Sequence, residues 1–130
     1  MAFIQTFRDL QVYQLARINT QKIFLITRSF PFEEKYCLVS QIRRSSRAVN
    51  AILAEAWARR CYPAAFANKV NEALAEEMET QAWLDHAIDC RYIEEKEFKE
   101  LDSSWQQIGA MLRRMMERTP DFCRDTNRYK

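Results

Sequence analysis

Glycine occurs once in this chain of 130 residues, at Gly109. A single glycine excludes the phosphate-cradling loops and dinucleotide fingerprints that need several. Proline occurs three times, at Pro31, Pro63 and Pro120, so helices have few places at which they must stop. Histidine also occurs once, at His86, and the residue three before it is Trp83. Carboxylate di-metal bundles use two Glu-x-x-His motifs, so a di-iron site is excluded on ligand number. The four cysteines, Cys37, Cys61, Cys90 and Cys123, include no CxxC pair. They read as reduced thiols of a cytoplasmic protein with no signal peptide. No apolar run approaches the roughly 18 residues that span a bilayer. With one histidine as the sole candidate base, no serine or cysteine is set up as a nucleophile. The reading is a non-enzyme with no catalytic residue, no cofactor and no metal site.

What is present is a hydrophobic content of 48%, enough for one domain with a sizeable core. The net charge is only +2, but it is unevenly spread. Residues 41–60 hold five arginines against Glu55, net +4; residues 71–102 hold eleven carboxylates against three bases, net −8; residues 111–130 are net +3. Such asymmetry suggests pairing between segments, and equally a basic surface for an anionic partner.

Apolar periodicity predicts four helices. The first runs from near Asp9 to before Pro31, with Val12, Ala16, Ile23, Ile26 and Phe30 inward and Asn19 interrupting the seam. The second runs from Glu33–Glu34 to about Arg60, its seam Val39, Ile42, Ser46, Val49, Leu53 and Ala56. The third opens at Pro63, a favoured first-turn residue, and runs to about Asp89. The fourth runs from near Glu94 to before Pro120, with Phe98, Leu101, Trp105, Ile108, Leu112 and Met115 in a heptad stripe. Links of two to five residues force sequential helices to lie antiparallel. The expected fold is therefore all-α, an antiparallel up-down-up-down four-helix bundle over residues 1–120, with a polar, frayed tail at 121–130.

The third helix has polar residues on its apolar seam, Glu77 and Thr80, among Phe66, Val70, Ala73, Leu84 and Ala87. A buried carboxylate needs a partner. Folding the second and third helices back around Tyr62 puts Arg47 level with Glu77, Arg44 with Thr80 beside Glu79, and Glu55 with Lys69. This predicts a ladder in which Arg44 and Arg47 face Glu76, Glu77 and Glu79, within one chain or between subunits. Two alternatives stand beside it: solvated faces whose charges merely balance, and a site for a ligand or RNA phosphate.

The wording of several segments resembles a known family. Phe7-Arg8-Asp9-Leu10-Gln11-Val12-Tyr13 looks like the family's opening. Pro31 with Tyr36, Leu38, Gln41 and Arg43-Arg44, then Ala54-Glu55-Ala56, look like the family's second helix. The stretch from Arg59-Arg60 and Tyr62-Pro63-Ala64 through Phe66, Lys69, Glu79-Thr80-Gln81, Trp83-Leu84-Asp85, Cys90 and Tyr92-Ile93 resembles one branch closely. The chain thus resembles, over residues 6 to 118, the four-helix-bundle proteins encoded in intervening sequences of bacterial large-subunit (23S) rRNA genes. It departs from them at Ile52, where asparagine is usual, and at Ala56, where many members have glycine.

The resemblance implies a small cytoplasmic protein that assembles with itself into a ring, commonly a homopentamer. It also brings in a related bundle, the accessory variability determinant of diversity-generating retroelements, which forms a similar ring and binds nucleic acid and a reverse transcriptase. Two function classes follow. One is an RNA- or DNA-binding accessory protein using Arg43, Arg44, Arg47, Arg59, Arg60, Arg113, Arg114 and Arg118, whose phosphate contacts would be salt-dependent. A protein partner such as a reverse transcriptase belongs with this class. The other is a protein-interaction scaffold whose arginines serve subunit pairing, with Trp57, Tyr62 and Trp83 as candidate anchors. No RNA-binding module with stacking aromatics is readable in the sequence.

Overall fold

The computed structural model describes residues 4–123 and is helical throughout its regular parts. A capped 3-10 turn, Phe7–Asp9, leads into α1, Gln11–Thr27. A second 3-10 turn, Phe32–Glu34, and a π-helical turn, Lys35–Val39, precede α2, Ser40–Ala58. Then come α3, Pro63–Asp89; α4, Glu95–Glu117; and a short α5, Thr119–Cys123.

Partner numbers fall on one helix as they rise on the next. Thr20 bonds to Ser46 and Asn50, whereas Thr27 bonds to Arg43, so α1 and α2 are antiparallel. Ser45 meets Thr80 at 2.8 Å and Lys69 meets Glu55 at 3.8 Å, so α2 and α3 are antiparallel. Gln81 bonds Asp102, and Glu77 lies against Gly109, which gives the same sense for α3 and α4. The expected seams are buried: Ile42, Val49, Leu53 and Ala56 from α2, Phe66, Val70 and Leu84 from α3, Leu101, Trp105, Ile108 and Leu112 from α4. Asn19 is buried too, and its amide donates to the Leu15 carbonyl at 2.9 Å.

Three local departures have physical causes. α1 stops at Thr27 rather than near Phe30, and Phe30 is still buried, against Tyr92. The expected start of the second helix at Glu33–Glu34 is instead a 3-10 turn and then a π turn. The Glu34 carboxylate holds this junction, accepting from the Leu38 amide and from the Tyr92 hydroxyl at 2.8 Å. The expected frayed tail is corrected at its first residues: Thr119–Cys123 is helical, Phe122 stacks on Phe66, and Cys123 is buried. Pro120 starts this helix rather than ending the fold, because a proline in the first turn leaves no hydrogen bond unmade. The rest of that tail, 124–130, lies outside the described residues.

Glu77 is 1% exposed and Thr80 fully buried, so both seam anomalies point inward. Thr80 is satisfied by Ser45 and by the Glu76 carbonyl. Glu77 is not paired with an arginine. Its Oε1 occupies the space beside Gly109, 2.3 Å from where a Cβ would stand, and its Oε2 has no hydrogen-bond partner among the described residues. The chain's sole glycine, in ordinary helical backbone, is thus there for room and not for conformational freedom. Burial pushes the Glu77 carboxyl up to about 7, with the Arg113 charge pulling it back down and Asp102 pushing it up.

Candidate nucleic-acid interface

α2 carries its arginines on two stripes, and the stripes have different fates. Arg44 points toward α3 and bridges Glu76, at 3.2 Å, and Glu79. These bonds hold its guanidinium above its ordinary titration range, Glu76 contributing most. Glu79 also accepts from the Trp83 indole at 3.2 Å. Further along the same interface Lys69 bridges Glu55, at 3.8 Å, and its neighbour Glu72, at 3.1 Å. This is an intrachain ladder on the surface, above the buried Ser45–Thr80 pair. With the Arg44 side chain 48% exposed, its bridge is screened by water. Arg44→Ala is therefore expected to lower stability by only about 0.5–1 kcal/mol in chemical denaturation. A loss above about 2 kcal/mol would show that the bridge does more than a surface ion pair does.

Arg47 does not join the ladder, which corrects the expected Arg47–Glu77 pair. Being level along the axis is not enough. Arg47 lies four residues after Arg43, on the stripe that faces α1, while Glu77 faces α4. The Arg43 and Arg47 guanidiniums lie 4.6 and 5.7 Å from the centroid of the Phe24 ring. Arg43 is anchored further, Nε donating to the Thr27 hydroxyl at 2.9 Å and Nη2 to the Phe24 carbonyl at 3.4 Å. Burial, and then the charges of Arg47 and Arg28, push the Arg43 guanidinium below its ordinary value. Three arginines thus crowd one patch on the α1–α2 face. Among the described residues none of the three forms an ion pair.

Like charges brought together without a counter-ion are unfavourable, and an anion from outside relieves them. Phe24 gives the Arg43 and Arg47 guanidiniums a cation–π seat that restricts their motion. The face around them is free of competing carboxylates: residues 10–32 and 35–54 contain no Asp or Glu. That gap was the available signal for Arg28 and Phe24, which charge totals taken over 41–60 alone miss.

The other arginines expected to bind nucleic acid do not join this patch. Arg60 stacks on Trp57, its Cζ 3.7 Å from the ring, with Nε donating to the Trp57 carbonyl. Arg118 pairs with Asp121 at 3.0 Å. Arg59, Arg113 and Arg114 are exposed on α4 and at the far end of α2. The eight residues therefore form no single surface, because α2 runs the length of the bundle and sets Arg43 and Arg60 toward opposite ends.

No catalytic constellation accompanies the patch. Among the described residues no three His, Cys, Asp or Glu side chains gather as metal ligands, and no helix is long and apolar enough to cross a membrane. A surface cleft of about 830 Å³ separates α1 from α4, lined by Asn19, Lys22, Leu25 and Leu101 among others.

The resemblance of the opening segment, the arginine-bearing second helix and the third helix is matched by a family model. The model for the 23S rRNA-intervening sequence protein covers residues 8–114, which includes the whole patch. The chain belongs to that family. A crystal structure of a protein of unknown function from the S23 ribosomal protein family of Bacteroides thetaiotaomicron VPI-5482 is 26% identical to this intervening-sequence protein, with a TM-score of 0.74. The match covers 82% of this chain and 95% of that one. No curated protein matches the chain. In this family member Ile52 is half-buried and Ala56 fully buried, so both departures from the common pattern fall on the inner side of α2.

Proposed function

We propose that this intervening-sequence protein is a non-enzymatic, self-associating bundle that binds RNA or DNA through the phosphate backbone, using the α1–α2 face. The observation that carries the reading is the Arg28–Arg43–Arg47 patch, in which Arg43 and Arg47 sit over the Phe24 ring and none of the three forms an ion pair among the described residues. The family, with its members encoded inside rRNA genes, supports the choice of nucleic acid over another anion. Self-association is supported by α1, where Ile18 and Leu25 are 55% and 52% exposed. The Asn19 Oδ1 is buried without a partner where α1 borders the cleft to α4. A second copy seated there would cover both, and the ring implied by the resemblance would have a mass five times the 15.5 kDa of one chain.

Light scattering on a sizing column, with absorbance at 260 and 280 nm and no nuclease treatment, tests both halves. A mass several times that of one chain, with excess 260 nm absorbance that salt removes, is the expected result. A clean oligomer would favour the protein-scaffold alternative, and a monomer free of nucleic acid would overturn the proposal. The patch itself is tested by Arg28→Gln with Arg47→Gln, both exposed residues whose loss leaves Arg43 in place. Affinity for a labelled strand is expected to fall about tenfold or more, and the salt slope to flatten by about one per arginine removed. An unchanged slope would put the phosphate contacts elsewhere.

A further inference from the structure

The connection between α1 and α2 exposes the two most solvent-accessible large apolar side chains among the described residues, Phe32 at 80% and Tyr36 at 78%. Neither is a leftover of a poor core. The same connection buries Phe30, and the aromatic contact with Tyr92 is already made by that residue. Pro31, extended at ψ 145°, turns the chain outward, and Phe32 follows in the 3-10 turn. Tyr36 comes four residues later, in the π turn. π-helical turns are rare and gather at functional positions.

Lys35 is set against both rings. Its ammonium lies 5.8 Å from the Phe32 centroid and 5.4 Å from that of Tyr36. The two rings therefore flank one cation. The backbone beneath them is held, because Glu34 accepts from the Leu38 amide and from the Tyr92 hydroxyl. Both oxygens of that carboxylate are thereby occupied, leaving Glu33 as the free acid of the turn. Arg28 lies four residues before Phe32, and Arg43 seven after Tyr36, about 10 Å along a helix axis. Flat apolar rings, an interleaved ammonium and a nearby guanidinium patch are together the chemistry of a strand whose bases are unpaired. Bases stack on the rings while phosphates meet the cations. A duplex hides its base faces and gains nothing from such rings.

We propose that Phe32, Lys35 and Tyr36 form a base-stacking platform, and that the ligand of the α1–α2 face is single-stranded nucleic acid. The proposal rests on the nucleic-acid reading above and narrows it. Its test is fluorescence anisotropy at fixed salt, with a labelled 20-nucleotide single strand and the blunt duplex of the same sequence. Wild type is compared with Phe32→Ala/Tyr36→Ala, and with Tyr36→Trp as a ring-preserving control. Because both side chains are exposed, the variants are expected to keep the wild-type melting curve. Wild type should prefer the single strand. The double-alanine variant should lose about tenfold or more per ring on the single strand and nothing on the duplex, with its salt slope unchanged. Tyr36→Trp should bind at least as tightly as wild type.

Equal losses on both ligands, or no loss on either, overturn the platform while leaving the arginine patch standing. A fall in oligomer mass for the alanine variant also overturns it, since the rings would then be a contact between copies. Binding of neither ligand by wild type overturns the platform and the nucleic-acid reading together.

Discussion

Replacing Gly109 by alanine is expected to destabilise the protein, although alanine is the better helix former. In an open helix the change would gain about 0.5–1 kcal/mol. Here the new methyl would stand 2.3 Å from the Glu77 Oε1 and 3.1 Å from its Cδ. A carboxylate at the end of a flexible side chain would ordinarily swing away, but Glu77 is 1% exposed and Leu74 lies 3.7 Å from the same point. Overpacking a closed core costs about 1–3 kcal/mol, and moving the carboxylate into apolar surroundings adds to it. The net expectation is a loss of about 1–2 kcal/mol, seen as a fall in Tm of roughly 3–8 °C at a fixed protein concentration. The decisive comparison repeats the substitution in a Glu77→Ala background. There the space is free, Gly109→Ala should become neutral or stabilising, and the coupling between the two sites should exceed about 1 kcal/mol. An equal cost in both backgrounds would mean that the close approach of these two residues is not what glycine is for.

Glu77→Gln is expected to remove most of the pH dependence of stability between pH 4.5 and 7. In the folded protein burial raises the carboxyl to about 7 from its ordinary 4.5. Between those values the folded chain keeps a proton that the unfolded chain has lost. By linkage, the contribution of this group to stability is fully present below pH 4.5 and is lost as pH rises to about 7. The gap between the two values corresponds to about 3 kcal/mol. Glutamine keeps the shape beside Gly109 and carries no charge at any pH. Urea titrations at pH 5, 6, 7 and 8 should show the wild type losing stability over this range while the variant stays nearly flat. At pH 8 the variant should be the more stable by about 1–3 kcal/mol, less whatever its amide loses by remaining unpaired. Parallel curves for the two proteins would mean that Glu77 is ionised throughout, with Arg113 outweighing burial.

The fold was legible because its signals are periodic. The stripes on α2, α3 and α4 follow the helical repeat, and Pro63 together with short links sets the order of the helices. Even the register of α2 on α3 could be read, since folding about Tyr62 aligns Glu55 with Lys69. The azimuth could not. Arg44 and Arg47 are three residues apart, and that rotation carries one toward α3 and the other toward Phe24 on α1. Level is a one-dimensional property that chain counting supplies, whereas facing depends on which neighbour each stripe meets. Glu77 was visible as an anomaly for the same reason that the seams were visible. Charge patterns point to arginines as its partners. The accommodation is instead an absent Cβ on α4, which only the pairing of two helices reveals. The exposed Phe32 and Tyr36 could not be told from core aromatics by residue type. They lie where the chain leaves α-helical geometry, between Thr27 and Ser40, in a 3-10 turn and a π turn.

An α-helical turn closes its hydrogen bonds over four residues and a π-helical turn over five. The turn Lys35–Val39 therefore holds one residue more than the α-helix it leads into. One residue added to an unbroken α-helix would rotate everything before it by about 100°, whereas the wider π turn takes the extra residue up within itself. Phe32 and Lys35 therefore owe their bearing on the bundle to the width of this turn as well as to their own side chains.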